Sequence, residues 1–198
     1  MLDLRSEEEL MEAAREGDDQ AFQTLTLRLR TAIERFLRHM GCNPDAVDDL
    51  TQETLLRVWR AREGYEARAR LRTYVLGIAR NLWLSHCGRE ARRARRRAHG
   101  ADGDGLDRLL LGGLVRVEGP EAVVLARYRA YRVREAILAL PERQRSVFVL
   151  AHIEDMPYSE IAQMLGIAEG TVKSRMSRAV RGLRRELEGD FAAPRPDA

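Results

Sequence analysis

Between Thr171 and Arg185 the sequence holds six basic residues and no acid. Within that stretch Lys173, Ser174, Ser177, Arg178 and Arg181 fall at helical spacing, so one face of a helix would carry them. A guanidinium there can donate twice to a guanine edge in a duplex major groove, while neighbouring cations and hydroxyls meet phosphates. Thr171 and Arg175 border that face and complete the duplex-binding set. A second group has different chemistry. Arg62, Tyr65, Arg70, Arg72, Tyr74, Arg80, Asn81 and Trp83 mix cations, an amide and aromatic rings. Unstacked bases require that mixture: rings to stack on, an amide for base edges, cations for the backbone. For Trp83, core packing competes evenly with base contact. A third group, Asp48, Asp49, Gln52, Glu53 and Arg57, makes a polar and mainly acidic helix face. No catalytic constellation accompanies these groups. His39, His86, His99 and His152 lack metal-ligand spacing, and Ser146 and Ser159 have no histidine and carboxylate to form a triad. Neither cofactor nor catalysis is expected. Cys42 and Cys87 are read as inert thiols.

Charge is distributed unevenly around these groups. Residues 1–64 carry 9 basic and 14 acidic side chains, and residues 65–100 carry 10 and 2. Residues 101–139 balance at 6 and 6, and residues 140–198 at 9 and 9. Two basic patches and one acidic surface point to two contacts with a polyanion and one with a different partner. Solvated helix faces are the bland alternative. Two widely spaced cysteines follow no secreted pattern, which favours a reducing, cytoplasmic setting. No apolar run approaches the roughly 20 residues that span a bilayer, and no membrane insertion is expected.

The elements that must position the three groups are helices. Ser6 with Glu9 reads as a capping box, and Gly17 ends that first short helix. Asp18 or Asp19 caps a second, whose apolar stripe is Phe22, Leu25, Leu29, Ile33, Phe36, Leu37 and Met40, followed by Gly41 as a left-handed stop. Asn43-Pro44 opens a third that runs to about Arg62 with Val47, Leu50, Leu55 and Val58 inward. A fourth runs from about Leu71 to Arg97, with Leu71, Val75, Ile78 and Leu82 as its stripe. From His99 to Gly119 six glycines punctuate a segment with no sustained period, which reads as a flexible linker around a leucine-rich stretch at 109–115. Helices resume at Pro120-Glu121, to about Ala139, and at Pro141, with Val147, Phe148, Leu150 and Ala151.

The sequence then reads as a helix-turn-helix. Ser159 would cap a helix from Glu160 to Leu165, and a second helix would run from about Glu169–Thr171 to Leu187. Ala162 permits close approach, Gly166 supplies the left-handed turn, and Val172, Ile161, Leu165 and Ile167 fill the angle between them. Met176, Val180 and Leu183 would face inward. The whole chain is therefore all-α: residues 1–97 and 120–190 as two small helical domains, 98–119 as linker and 191–198 as a disordered tail.

Residues 45–60, Asp-Ala-Val-Asp-Asp-Leu-Thr-Gln-Glu-Thr-Leu-Leu-Arg-Val-Trp-Arg, and residues 71–83, Leu-Arg-Thr-Tyr-Val-Leu-Gly-Ile-Ala-Arg-Asn-Leu-Trp, resemble region 2 of the extracytoplasmic-function sigma factors. Residues 140–186 resemble region 4 of the same sigma-70-like initiation factors. The resemblance implies that Asp48, Asp49, Gln52, Glu53 and Arg57 hold the clamp helices of core RNA polymerase, with the flap as a further contact. It implies that residues 62–83 capture the single-stranded −10 element, with Asn81 at the family's pocket asparagine, and that the 171–181 face reads a duplex −35 element. Gly77 stands where a large or basic residue is frequent, and Ser85 where aspartate is common, which bears on promoter preference. An anti-sigma factor is a further expected partner, and the chain is expected to be a monomer outside its complexes. A stand-alone helix-turn-helix regulator would instead dimerise on a palindromic duplex. A recombinase would need a catalytic domain with strands, and the N-terminal half offers none.

Overall fold

A computed structural model of the protein describes residues 3–65, 70–98 and 121–188. The expected 98–119 linker, apart from Ala98, and the expected tail lie outside the described residues. Among those residues there are eight α-helices, a single 3-10 turn and no strand. The chain divides into two units, Met1–Gly112 and Gly113–Ala198.

In the first unit, α1 (Glu7–Arg15), α2 (Asp19–His39) and α3 (Pro44–Ala61) begin where side chains satisfy their orphan N–H groups. The Glu9 N–H donates to Ser6 Oγ at 3.1 Å, and the Ser6 N–H donates to the Glu9 carboxylate at 2.6 Å. The Ala21 N–H donates to Asp18 Oδ1 at 2.9 Å. Asn43 Oδ1 accepts from the Asp45 N–H at 3.2 Å, with Pro44 at the first helical position. Gly17 and Gly41 take φ of +100° and +82°, the left-handed conformation that ends α1 and α2 at little cost only for glycine. The α2 stripe fills the core: Leu25, Leu29, Ile33, Phe36, Leu37 and Met40 are buried with Leu10, Met11 and Val58. Phe22 is half-buried and lies against Trp59, ring centroids 4.5 Å apart.

A 3-10 turn, Arg62–Gly64, leads toward α4 (Leu71–Ala98). The expected α4 stripe needs correction. Leu71, Val75 and Leu82 are buried, but so are Leu76, Ala79 and Trp83, and Ile78 is only half-buried. The reason is that α4 packs against both α2 and α3 and also touches α1, so it buries a wider arc than one stripe. Cys42 is buried, and desolvation pushes its thiol up to about 11, consistent with an unreactive group.

The second unit contains α5 (Glu121–Ala139), α6 (Glu142–His152), α7 (Tyr158–Leu165) and α8 (Glu169–Leu187). α8 packs on the other three, over a core of Ile137, Val147, Val149, Leu150, Ile161, Val172, Met176, Ala179 and Leu183. Two expectations fail here. Ser159 does not cap α7: Pro157 occupies the cap position, and the helix opens at Tyr158 without a side-chain cap. Val180 is half-buried, and Ala179 takes the inward position; the small side chain permits close contact with the neighbouring helices. Phe148, Ala151, Leu165 and Ile167 are likewise half-buried. Arg145, 6% exposed, donates from Nη1 to the Leu138 carbonyl at 2.7 Å. It thereby binds α6 to the end of α5, where carbonyls lack helical partners.

Candidate nucleic-acid interface

The angle between α7 and α8 rests on Gly166, which closes α7 with φ +63° and ψ 39°. The Gly166 N–H donates to Gln163 O at 3.2 Å and the Ile167 N–H to Ala162 O at 3.0 Å. The chain then turns into α8, whose first N–H bonds return to Ala168 O. Burying Val172, Met176, Ala179 and Leu183 leaves Lys173, Ser174, Ser177, Arg178 and Arg181 exposed on the opposite side, with Thr171 and Arg175 half-buried at its margin. Every residue of the duplex-reading set thus lies on or beside one face.

Most of the α8 cations stand without an ion-pair partner among the described residues. Lys173 meets Glu169 at 2.9 Å, but Arg175, Arg178, Arg181, Arg184 and Arg185 make no ion pair with a described residue. In the first unit Arg5, Arg15, Arg30, Arg38 and Arg57 are paired, whereas Arg60, Arg89 and Arg92 make no ion pair with a described residue. Unneutralised cations on one helix repel each other, and a polyanion relieves that repulsion.

The single-strand set is only partly assembled. Arg70, Tyr74 and Asn81 fall in one row at the start of α4, with Gly77 between the latter two. All three are exposed, Tyr74 at 38%. The Tyr65 ring packs on Tyr74 with centroids 5.7 Å apart. Burial pushes the Tyr65 phenol up, aided by Glu8 and Tyr74. Arg80 is half-buried on α4. Arg62 lies 3.6 Å over the Trp59 ring, donates to Trp59 O at 2.9 Å and meets Glu63 at 3.2 Å. Arg72 is engaged by Glu7. Trp83 is 3% exposed and belongs to the core, because the wide buried arc of α4 reaches it. It leaves the nucleic-acid face.

On α3, Asp48 accepts from Arg30 at 3.0 Å and from Gln52 at 2.9 Å, and Glu53 pairs with Arg57 at 2.8 Å. Asp49 is exposed and makes no ion pair or side-chain hydrogen bond with a described residue. Two residues escaped the sequence reading. Leu56, 40% exposed, follows Gln52 by one turn and puts an apolar spot on this polar face. Trp59 holds Phe22 and Arg62 in one stack. The signal for Leu56 was present: its neighbour Leu55 occupies the inward register, so Leu56 had to point elsewhere.

Among the described residues no His, Cys, Asp and Glu cluster could hold a metal, and no helix is long and apolar enough to cross a membrane. Among the described residues the chain is all-helical, with a helix-turn-helix and an exposed arginine row of the kind that suits a duplex. Comparison with known proteins makes the class specific. The family description "Sigma-70 region 2" matches residues 25–93, and "Sigma-70, region 4" matches residues 130–183. The RNA polymerase sigma factor CnrH of Cupriavidus metallidurans is 32% identical over 178 residues, covering 89% of this chain and 92% of CnrH. The ECF RNA polymerase sigma factor SigW of Bacillus subtilis is 26% identical over 176 residues, covering 87% and 92%. Among solved structures, the sigma factor RpoE bound to the anti-sigma factor NepR from Bartonella quintana has a TM-score of 0.64 at 25% identity, covering 85% of this chain and 98% of that one. CnrH in complex with the cytosolic domain of CnrY shares the fold at TM-score 0.65 and 23% identity, covering 94% and 99%. The chain belongs to the sigma-70 family of RNA polymerase initiation factors, in its extracytoplasmic-function group. It is a promoter-recognition factor, and its family is not one of catalytic enzymes.

Proposed function

We propose that this chain binds bacterial core RNA polymerase in the cytoplasm and directs it to promoters through two separate DNA contacts. The α3 face, Asp48, Asp49, Gln52, Glu53 and Arg57 with Leu56 added, docks on the clamp helices, and the second unit meets the flap. Asp49 offers an uncompensated carboxylate and Leu56 an apolar spot; charge steers encounter, and a buried apolar contact slows release.

The observation that carries the DNA reading is the exposed arginine row on α8, which makes no ion pair with a described residue and lies opposite a fully packed ridge. Thr171, Lys173, Ser174, Arg175, Ser177, Arg178 and Arg181 enter the major groove of the −35 element. On α4, Arg70, Tyr74, Arg80 and Asn81, with Tyr65 beside them, take the −10 strand once it opens. Arg62 supports that site through Trp59. The protein positions DNA for the polymerase's own active site. The functional domains in this reading are residues 1–97 and 120–190, and 98–119 links them. An anti-sigma factor restrains the free chain, which is a monomer outside its complexes.

The test uses holoenzyme reconstituted with core polymerase and a promoter that it selects from a random-sequence library. A fluorescent base analogue in the −10 element should report opening with the wild type and none with core alone. Tyr74→Ala with Asn81→Ala should keep holoenzyme assembly and −35 binding while losing most of the opening signal. Unchanged opening would remove α4 from the melting step.

A further inference from the structure

The first turn of α1 reaches Leu71 and Arg72 at the start of α4, next in the chain to Arg70 of the single-strand row and up to 65 residues from α1 itself. Glu7, with only 15% of its side chain exposed, engages Arg72 through two contacts: Arg72 Nη2 to Oε1, and Nε to Oε2 at 3.4 Å. The adjacent Glu8 accepts the Leu71 N–H at 3.1 Å. That N–H needs an outside acceptor. Arg70, whose carbonyl takes the first helical bond from Tyr74 at 3.3 Å, has no side-chain acceptor with which to cap α4. Two neighbouring carboxylates therefore meet the start of α4, one on an N–H that has no helical acceptor and one on a cation that DNA would otherwise attract.

α1 is itself held firmly. Ser6 and Glu9 cap it reciprocally, and its lead-in is clasped by Arg28, which donates to the Arg5 carbonyl at 2.6 Å and to the Asp3 carbonyl. Arg5 joins Asp3 at 2.7 Å and Asp18 at 3.3 Å. A carboxylate pair on a capped and clasped helix thus lies next to the start of the face proposed to take single-stranded DNA.

We propose that α1 sets the strength with which the α4 face takes single-stranded DNA: Glu7 holds Arg72 in an ion pair that a DNA phosphate must displace, while Glu8 anchors the start of α4. The inference rests on the α4 reading and deepens it. Glu7 and Glu8 are positioning residues, and Arg72 is a phosphate contact held in reserve. The carboxylates favour the strand that brings enough base contacts to compete, so loose phosphate binding is suppressed and base-dependent capture is kept.

The test measures a labelled single-stranded oligonucleotide, carrying the −10 sequence of the library-selected promoter, against holoenzyme over a salt series. Glu7→Gln should tighten binding about threefold to tenfold and steepen the log K against log salt slope by about 0.7, the value of one added single-strand phosphate contact. Adding Arg72→Ala to Glu7→Gln should erase both changes. Arg72→Lys keeps the cation but loses the two-pronged grip on Glu7, and should move both readouts in the same direction without touching α1. Unchanged affinity and slope in Glu7→Gln and Arg72→Lys, while Tyr74→Ala and Asn81→Ala still lose binding, would overturn the inference alone. If Tyr74→Ala and Asn81→Ala also bind normally, the α4 reading fails and takes this inference with it.

Discussion

Arg178 combines exposure, a central place in the α8 row and the absence of an ion pair with any described residue. Replacing it with alanine should cost about 1–3 kcal/mol of −35 duplex binding if it reads a base, with unequal losses across base variants. Anisotropy titrations on a panel of duplexes check this, and a uniform loss would make Arg178 a phosphate contact. Carboxylates set the acid response. The Arg5 guanidinium holds Asp3 down from 3.8 to about 2. The Ser6 N–H lowers Glu9, and the Ala21 N–H lowers Asp18. Groups lowered by folding stabilise above their ordinary range and lose that contribution as pH falls through the depressed value. The attachment of α1 should therefore weaken between about pH 4 and 2, followed by amide shifts of residues 6–14. Ser6→Ala keeps the backbone N–H that Glu9 accepts and removes only the hydroxyl, so it should move the Glu9 step only part of the way back toward the ordinary carboxylate range. The arginine row was legible because charge and helical spacing are both written in sequence. The burial of Trp83 was not, since spacing alone does not say how many neighbours surround a helix.

The helix ends show which local rules suffice. Asn43-Pro44, Asp18 and the Ser6–Glu9 box were readable because each cap is completed within four residues. Ser159 misled the reading of α7 because Pro157, with φ −60° and ψ 147°, already sets the entry. The capping of α4 by Glu8 was invisible for a different reason: its partners are 63 residues apart. Glycines separate the same way. Gly166 sits at φ +63°, so Gly166→Ala should lower the stability of the second unit by about 1–2 kcal/mol. Gly170 lies in the first turn of α8, with open space around an added Cβ. Gly170→Ala should be neutral or stabilising by up to about 1 kcal/mol. Urea denaturation followed by far-UV circular dichroism distinguishes them. Equal effects would remove the left-handed turn as the device that sets the α7–α8 angle.

At the scale of the molecule, one chain carries a mainly acidic helix face in its first unit, proposed to dock on protein, and a cationic helix face in its second, proposed to read a duplex. That division explains why a net charge of only +3 conceals two opposite surfaces. It also distinguishes a polymerase subunit from a stand-alone regulator, which needs no acidic docking face. Polymerase binding is therefore the property that separates the two. The most direct measurement is co-elution of the purified chain with bacterial core RNA polymerase on gel filtration, beside a variant carrying Asp49→Arg and Glu53→Arg. The wild type should co-elute, and the variant should remain folded yet elute alone. A wild type that fails to co-elute, while binding duplex DNA tightly as a dimer, would contradict the account.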